Sequence, residues 1–445
     1  MTDTEPENEQ VGTPTVEVEV PTSKPAPEPE PAPAPEPVPA AAHAVVEEEK
    51  EPGIIDELYD HFFAKSWEMW VGACILAFLS AVLFLIASPW GPSGGLGNIG
   101  ANFLSWLGMS FDTSAPNGVT AIKDHRYAML SITMIAGAMG AALMSKEFAI
   151  RVAPVGELFK GIAGGLLMGV GATLAIGCTI GGFFSGWPAL SAAALVFLPA
   201  LVIGTFLGVR YLLWEMEEHP GMSMGKSSTL LAAASKGTSF QPMAGIIVLG
   251  IAASFALMYD VATEWVFIGF VLVGVMIGFV LQRSRFCIVR ALREPFLGGD
   301  SRPSLAIMAG ILVALVAFVV IKYLGLGSET AMVASAYWVP ALIGGVIFGF
   351  GMTIAGGCTV GATWRAGEGH VKLWLALVGI FIAMPLTAEY IKTGFMNGLP
   401  DSMKQELFLP HEIGYTASVL LLLLIIFVWY MIVKWNERTG KLAAY

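Results

Sequence analysis

A cysteine enclosed by glycines occurs twice in this chain, each time inside strongly apolar sequence. The first copy reads GCTIG from Gly177 to Gly181, and the second reads GCTVG from Gly357 to Gly361. Glycine lets the backbone approach a small ligand closely, and a thiol is a soft, polarizable group with weak donor and acceptor character. The threonine after each cysteine adds a hydroxyl. Both motifs are therefore suited to contacting a small ligand that carries a polarizable atom.

The composition indicates an integral membrane protein. The 445 residues are 55% hydrophobic and 13% charged, whereas a soluble chain carries about 25% charged residues. Residues 1–60 hold 16 acidic residues and two lysines, a net of −14 against −11 for the whole chain, so the remainder is about +3. Residues 1–52 are rich in Pro, Ala, Glu and Val, which predicts a disordered cytoplasmic tail.

Ten apolar stretches approach the ~20 residues that a membrane-spanning helix requires. They are Trp67 to Ser88, Tyr127 to Met144, Gly161 to Ile176, Leu190 to Trp214, Met243 to Met258, Val266 to Leu281, Ser304 to Tyr323, Trp338 to Gly356, Leu373 to Ile391 and Ile413 to Lys434. We predict an all-α polytopic membrane protein with a transmembrane domain at 53–434 and a short cytoplasmic C-terminus at 435–445. Some segments, such as Gly161 to Ile176, are short enough to re-enter rather than to span.

The two cysteine motifs belong to a longer internal repeat. At an offset of 180 residues, Gly164, Gly165, Gly169, Gly171, Thr173, Gly177, Cys178, Thr179 and Gly181 match Gly344, Gly345, Gly349, Gly351, Thr353, Gly357, Cys358, Thr359 and Gly361. Five spans separate the copies, and an odd separation inverts the second copy in the membrane. We therefore predict inverted repeats at about 67–259 and 266–434, with broken or re-entrant helices at the centre, a common plan for transporters.

Lysine and arginine predict the orientation. The loop between spans six and seven carries five arginines, from Arg283 to Arg302, whereas the preceding loop has only Asp260 and Glu264. Positively charged loops face the cytoplasm, which places both termini there. Lys123 and Arg126 are the exception, since this scheme leaves them near the outer face.

Further candidates follow the sixth span and the second motif. Cys287 lies between Arg285 and Arg290, which would favour a thiolate or hold an anion. Arg365 follows the second motif and could attract an anionic substrate, although a positively charged loop with an internal ion pair to Glu368 explains it equally simply. Cys74 lies inside the first span without such neighbours, which favours packing.

Several classes of protein are disfavoured. The four cysteines form no Cys-x-x-Cys pair and the six histidines are dispersed, so we expect no metal and no cofactor. The segment from Gly221 to Ser227 has the wrong spacing for a phosphate loop and no preceding strand. We also expect no nucleic-acid partner and no enzymatic activity.

Three separated motifs give the chain a resemblance to the YeeE/YedE family of bacterial sulfur-compound transporters. They are the glycine-rich segment from Gly164 that leads into Gly177-Cys178-Thr179, the SRFC segment ending at Cys287 with Arg293-Glu294-Pro295-Phe296, and Gly356-Gly357-Cys358 followed by Trp364-Arg365 and Gly367-Glu368-Gly369. The resemblance covers about residues 67–434 and leaves out the acidic tail.

The resemblance implies a thiosulfate importer of the bacterial cytoplasmic (inner) membrane. It implies that Cys178, Cys287 and Cys358 pass a small sulfur oxyanion inward, and that a small cytosolic TusA-like sulfur carrier is a partner. The candidate translocation residues also include Thr179, Thr359, Gly177, Gly181, Gly357, Gly361, Arg285 and Arg365. Two alternatives stay open: a selenium-compound transporter of the same plan, and a membrane sulfurtransferase or redox protein that uses the cysteines covalently.

Overall fold

The structure is a computed structural model that describes residue 59 and residues 62–63, 65–111, 119–219, 227–230, 240–334, 338–400 and 406–442. Within these ranges the chain is almost entirely helical, with a single two-stranded sheet. The predicted tail at 1–52 lies outside the described residues.

The helices follow one another in an order that repeats between the two halves. They are α1 (Met69–Ile86), α2 (Ser93–Trp106), α3 (Arg126–Met144), α4 (Val155–Leu174), α5 (Ala192–Glu218), α6 (Phe240–Ser254), α7 (Trp265–Ser284), α8 (Ile288–Leu297), α9 (Arg302–Tyr323), α10 (Val339–Ala355), α11 (Thr359–Gly367), α12 (Val371–Leu386), α13 (Thr393–Asn397) and α14 (Leu409–Thr439), with strands β1 (Ile150–Val152) and β2 (Ser228–Leu230). A π-helical segment, Thr179–Phe184, separates α4 from α5, and a second, Thr387–Lys392, follows α12.

Ten helical stretches of the described chain are long and apolar enough to cross a membrane. This result confirms the all-α polytopic fold and the predicted number of apolar segments. Neither cysteine motif forms a complete span by itself, because Thr179–Phe184 has six residues and α11 has nine, whereas a span needs about 20. Each motif instead adds a short helical segment after a longer helix, as expected for a broken helix.

The two halves pack in a reciprocal pattern. Helix α1 packs on α9 and α3 packs on α7, while α4 packs on α12 and α5 packs on α10. The repeat makes α1 the counterpart of α7, α3 of α9, α4 of α10 and α5 of α12. Replacing each helix by its counterpart turns the α1–α9 contact into the α7–α3 contact, and the α4–α12 contact into the α10–α5 contact. Helices α4 and α10, which precede the two cysteine motifs, pack directly on each other and occupy the position of a two-fold axis.

Glycines allow the close approach of α4 and α10. A Cβ on Gly171 would lie 2.6 Å from the Gly344 carbonyl oxygen, and a Cβ on Gly344 would lie 2.6 Å from the Gly171 carbonyl oxygen. The symmetry-related pair is Gly164 and Gly351, at 2.6 and 2.8 Å by the same measure. Two patches that contact each other in this reciprocal way are the signature of a two-fold interface, and small residues permit such contacts between membrane helices.

We expect Gly171→Ala to destabilise the protein, because the added methyl group would meet backbone atoms of α10 that cannot move independently. Overpacking of this kind costs about 1–3 kcal/mol. Gly250→Ala in α6 is the matched control, since a Cβ there has no neighbour within 4 Å. Thermal unfolding in detergent should show a lower midpoint for Gly171→Ala and an equal or higher midpoint for Gly250→Ala; equal midpoints for wild type and Gly171→Ala would contradict the close packing.

The loops that carry most of the basic residues lie together at one end of the helix bundle. Strand β1 pairs antiparallel with β2, and Arg151 of β1 also forms a bridge with His370. Loops from different parts of the sequence therefore meet at the end that also carries the predicted arginine loop. We call this end the basic face, and it comprises residues 145–154, 227–230, 283–302 and 365–372.

Candidate functional site

Each cysteine motif begins where a helix ends in a left-handed residue. Ile176 after α4 has φ 55° and Gly356 after α10 has φ 80°, and these two positions are related by the 180-residue repeat. The next amide closes the helix end in both halves: Gly177 N–H donates to the Ala172 carbonyl at 3.0 Å and Gly357 N–H to the Met352 carbonyl at 3.1 Å. Because Ile176 is β-branched, its conformation is strained, and strain of this kind concentrates at functional sites.

Cys287 sits on a third break of the same form. Arg285 after α7 has φ 52°, and Phe286 N–H donates to the Leu281 carbonyl at 3.3 Å. Cys287 is then extended and α8 begins at the next residue. The sequence repeat does not include this segment, so only the backbone shows that all three cysteines occupy equivalent positions between two helical segments.

The three cysteines converge. Cys178, Cys287 and Cys358 are buried, at 0%, 2% and 1% exposure, and all three are free thiols. Cys358 lies within electrostatic range of both Cys287 and Cys178. Its sulfur also accepts the Gly361 N–H at 3.4 Å. Cys74, by comparison, is partly exposed on α1 and does not belong to this buried group of cysteines.

Aromatic residues tie the three breaks together. The Phe286 ring packs edge-on against the Phe184 ring at 5.6 Å between centroids, which joins the Cys287 segment to the first motif. The Trp364 indole N–H donates to the Phe286 carbonyl at 3.1 Å, which joins it to the second motif. Trp364 is fully buried, so this bulky residue fixes the position of Cys287 relative to Cys358.

The threonines next to Cys178 and Cys358 are buried without hydrogen bonds. Thr179 and Thr359 have 0% exposure, and within the described part of the chain neither hydroxyl has a partner that meets hydrogen-bond geometry. The Thr179 hydroxyl does lie close to the Cys358 sulfur. A buried hydroxyl without a partner costs about 1–3 kcal/mol. Two such groups at equivalent positions therefore point to a polar ligand between them.

A large cavity opens beside the first motif on the face opposite the basic one. Its volume is about 1090 Å³. Gly177, Gly181 and Gly182 line it, so Cys178 and Thr179 lie just behind its wall. Asn98, Thr120, Tyr127 and Ser191 are among its polar lining residues. An anion that enters this cavity meets the glycines of the first motif at its wall.

A second cavity, of about 380 Å³, adjoins the second motif on the basic face. We call it the basic cavity, and its polar lining includes Arg151, Arg365, His370 and Lys372 together with Gly356. The Arg365 guanidinium donates to the Gly356 carbonyl at 3.1 Å and lies over the Trp364 ring at 5.1 Å. Arg365 is thus held at the point where the second motif meets the cavity.

Beside the basic cavity, a network of ion pairs links the segments that carry Cys287 and Cys358. Arg285 pairs with Glu147 at 2.9 Å and with Glu368 at 2.9 Å, and Gln282 donates to both carboxylates. Burial opposes ionisation of Glu147, but Arg285, Gln282 and Arg283 together hold its pKa below the usual value. Glu368 is 1% exposed, and burial raises its pKa despite the same neighbours.

The structure brings most of the candidate residues together. Gly177 and Gly181 line the larger cavity and Arg365 lines the basic cavity, while the cysteines and threonines of the two motifs are buried between the two cavities. Arg285 is instead engaged by two carboxylates. Arg151 of β1 and Lys372 at the start of α12 also reach the basic cavity, which the sequence pattern did not indicate. Among the described residues, no group of three His, Cys, Asp or Glu side chains could hold a metal ion.

Comparison with known proteins identifies the family. A family model described as sulphur transport matches residues 37–207 and 283–444. The chain is 30% identical over 326 residues to the "Probable transporter YedE" of Escherichia coli (strain K12), covering 71% of this chain and 78% of that protein.

Two relatives have a named substrate. One is the "Thiosulfate transporter TsuA" of Escherichia coli (strain K12), 30% identical over 175 residues, which covers 38% of this chain and 48% of the relative. The other is the "Thiosulfate transporter TsuA" of Spirochaeta thermophila, 36% identical over 105 residues, which covers 24% and 31%. With the family model matching most of the described chain, the protein belongs to the YeeE/YedE sulphur transport family.

Proposed function

We propose that the protein imports thiosulfate across the bacterial cytoplasmic membrane. The observation that carries the proposal is the position of three buried cysteines at helix breaks, between two cavities on opposite faces that each include polar side chains in their lining. Thiosulfate combines a polarizable terminal sulfur with anionic oxygens. The thiols suit the sulfur, while hydroxyl and backbone N–H donors and the cations of the basic cavity suit the oxygens.

The direction follows from the charges of the two faces. The basic face carries the arginine loop, and such loops lie in the cytoplasm, which also places both termini there. In this arrangement thiosulfate enters from the 1090 Å³ cavity, contacts Cys178, passes Cys358 near Cys287, and leaves through the basic cavity. The cytosolic receiver that the family resemblance predicts is a small TusA-like sulfur carrier.

The substrate is tested by uptake into cells that lack their own sulfate and thiosulfate importers. We expect cells that make this protein to accumulate labelled thiosulfate and to grow with thiosulfate as the sole sulfur source. Unlabelled selenium oxyanions and sulfate serve as competitors. Selenite that competes better than thiosulfate would favour the selenium alternative, and an absence of thiosulfate uptake would refute the proposed substrate.

We expect Thr179→Val and Thr359→Val to weaken thiosulfate binding while leaving the empty protein as stable as wild type, or more stable. Valine preserves the shape of threonine and removes a hydroxyl without a partner that meets hydrogen-bond geometry, so the empty protein loses at most the weak contact between Thr179 and the Cys358 sulfur. A hydrogen bond to a charged ligand is worth about 1.5–3 kcal/mol, which corresponds to a KM about 10-fold or more higher for uptake.

Thr205→Val is the matched control for these variants. Thr205 lies on α5, is fully buried, and also has a hydroxyl without a partner in the described chain, but it lines neither cavity. Its replacement should leave the KM for thiosulfate unchanged. An equal rise in KM for Thr205→Val, or an unchanged KM for Thr179→Val, would contradict the assignment of the motif hydroxyls to substrate.

A further inference from the structure

Two titratable side chains on the basic face have facing polar atoms without hydrogen bonds. Glu368 follows α11 and His370 precedes α12. Glu368 Oε2 and His370 Nδ1 lie 3.7 Å apart. Both atoms are buried, and neither has a hydrogen-bond partner among the described residues. The other oxygen of Glu368 is fully occupied, since Oε1 accepts from Gln282 at 3.0 Å and from Arg285 at 2.9 Å.

The 3.7 Å separation of these atoms fits a His370 imidazole whose Nδ1 carries no proton. A neutral imidazole has one donor nitrogen and one acceptor nitrogen, and an ionised carboxylate only accepts. When the imidazole carries its one proton on Nε2, its Nδ1 is an acceptor that faces the acceptor Oε2 of Glu368, and the two atoms repel. One added proton, on either atom, converts the contact into a charge-assisted or neutral hydrogen bond.

Charged groups surround the pair on every side that packs against it. Arg151 comes from β1, Arg365 from α11, and Arg285 and Arg283 from the end of α7, while Glu147 lies beyond Arg285. Burial, followed by the positive charges of Arg151 and Arg365, lowers the pKa of His370 to about 4. At neutral pH its imidazole is therefore uncharged when the cavity is empty.

His370 lines the basic cavity, and so do Arg151 and Arg365, the two cations that contribute most to keeping it neutral. An anion that enters this cavity neutralises their field. The same anion disfavours a negative charge on Glu368. Both effects favour protonation, so proton binding and anion binding must strengthen each other.

We propose that the basic cavity binds its anion together with one proton, which the Glu368–His370 pair takes up from solvent. This proposal rests on the proposed function only in that the anion is thiosulfate. It adds a site for a second transported or counter-balancing ion. The membrane potential opposes the movement of a dianion into a negatively charged cytoplasm, and a proton bound with the anion reduces the net charge that the exit site holds.

Isothermal titration of the full-length protein in nanodiscs tests the proposal. Thiosulfate is titrated at pH 6 in two buffers with different ionisation enthalpies, which reports the number of protons taken up per anion. We expect at least about 0.5 protons per thiosulfate, and a Kd that decreases by up to about tenfold per unit decrease in pH where linkage is complete. The Kd decreases as the pH decreases because protonation of the pair favours the anion-bound state.

Glu368→Gln and His370→Gln should bind thiosulfate with proton uptake close to zero and a Kd nearly independent of pH. His411→Gln is the matched control, because His411 also faces a carboxylate, Glu329, at 3.5 Å but lies at an exposed site outside the cavity. Wild-type uptake of protons in either Glu368→Gln or His370→Gln would overturn the proposal, as would pH-independent binding by the wild type.

The outcomes separate this proposal from the proposed function. Thiosulfate binding and transport without proton uptake would refute the proton site and leave the cysteine pathway intact. Proton-coupled binding of thiosulfate by a protein that fails to transport it would support the proton site and refute the transport function. Absence of any binding at the basic cavity, seen as identical titrations for wild type and Arg365→Gln, would overturn the proton proposal together with the cavity as an anion site.

Discussion

Cys358→Ala is expected to lower thiosulfate uptake about 10- to 100-fold while the protein still folds and inserts. Cys358 lies within electrostatic range of both Cys178 and Cys287, so its loss interrupts the proposed pathway between the two motifs. A lost interaction with a charged ligand is worth about 1.5–3 kcal/mol, and the same side chain would meet the substrate in successive positions. Initial rates of labelled thiosulfate uptake into proteoliposomes measure the effect.

Cys74→Ala is the control for this variant. It removes the same atoms from a partly exposed position on α1 and should leave uptake at the wild-type rate. Size-exclusion profiles of both variants report folding. Wild-type uptake by Cys358→Ala, or an equal loss in Cys74→Ala, would contradict the role of the buried thiols.

Arg365→Gln is expected to lower the uptake rate about tenfold or more. Its guanidinium lines the basic cavity next to Gly356, which is the exit of the proposed pathway. A charge-assisted hydrogen bond to an anion contributes about 1.5–3 kcal/mol, which corresponds to roughly 10- to 100-fold in binding. Glutamine keeps a donor to the Gly356 carbonyl and removes the charge, so the effect reports electrostatics rather than packing.

Arg290→Gln is the matched control on the same face. Arg290 is 43% exposed, and its contact with Glu294 is long at 4.0 Å, so it lies in solvent and does not line the basic cavity. Uptake should stay within about twofold of wild type, because exposed ion pairs contribute little. A similar decrease in both variants would show that the overall positive charge of the face, rather than Arg365 itself, is what matters.

Much of the fold could be predicted because it depends on local patterns. The lengths of the apolar stretches predicted the ten spans. The 180-residue repeat paired the span that leads into Cys178 with the span that leads into Cys358. The repeat also contains Gly171 and Gly344, and the structure shows that these two glycines meet each other across the two-fold axis.

The surroundings of the cysteines could not be predicted, because they depend on tertiary contacts between distant segments. The short β1–β2 sheet and the bridge from Arg151 to His370 draw separate loops over the second motif and complete the basic cavity. The left-handed conformation of Ile176 is also hidden in the sequence, since a β-branched residue disfavours it. Only the packing around it imposes that backbone.

A double-label experiment distinguishes transfer of intact thiosulfate from transfer of a single sulfur atom. Thiosulfate labelled on both of its sulfur atoms with different isotopes is supplied to proteoliposomes that contain only the purified protein. We expect both labels to reach the lumen in equal amounts, as thiosulfate, and none to stay bound to protein. Arrival of one sulfur without the other, or a persulfide on Cys178, Cys287 or Cys358, would contradict intact transfer and indicate covalent sulfur transfer instead.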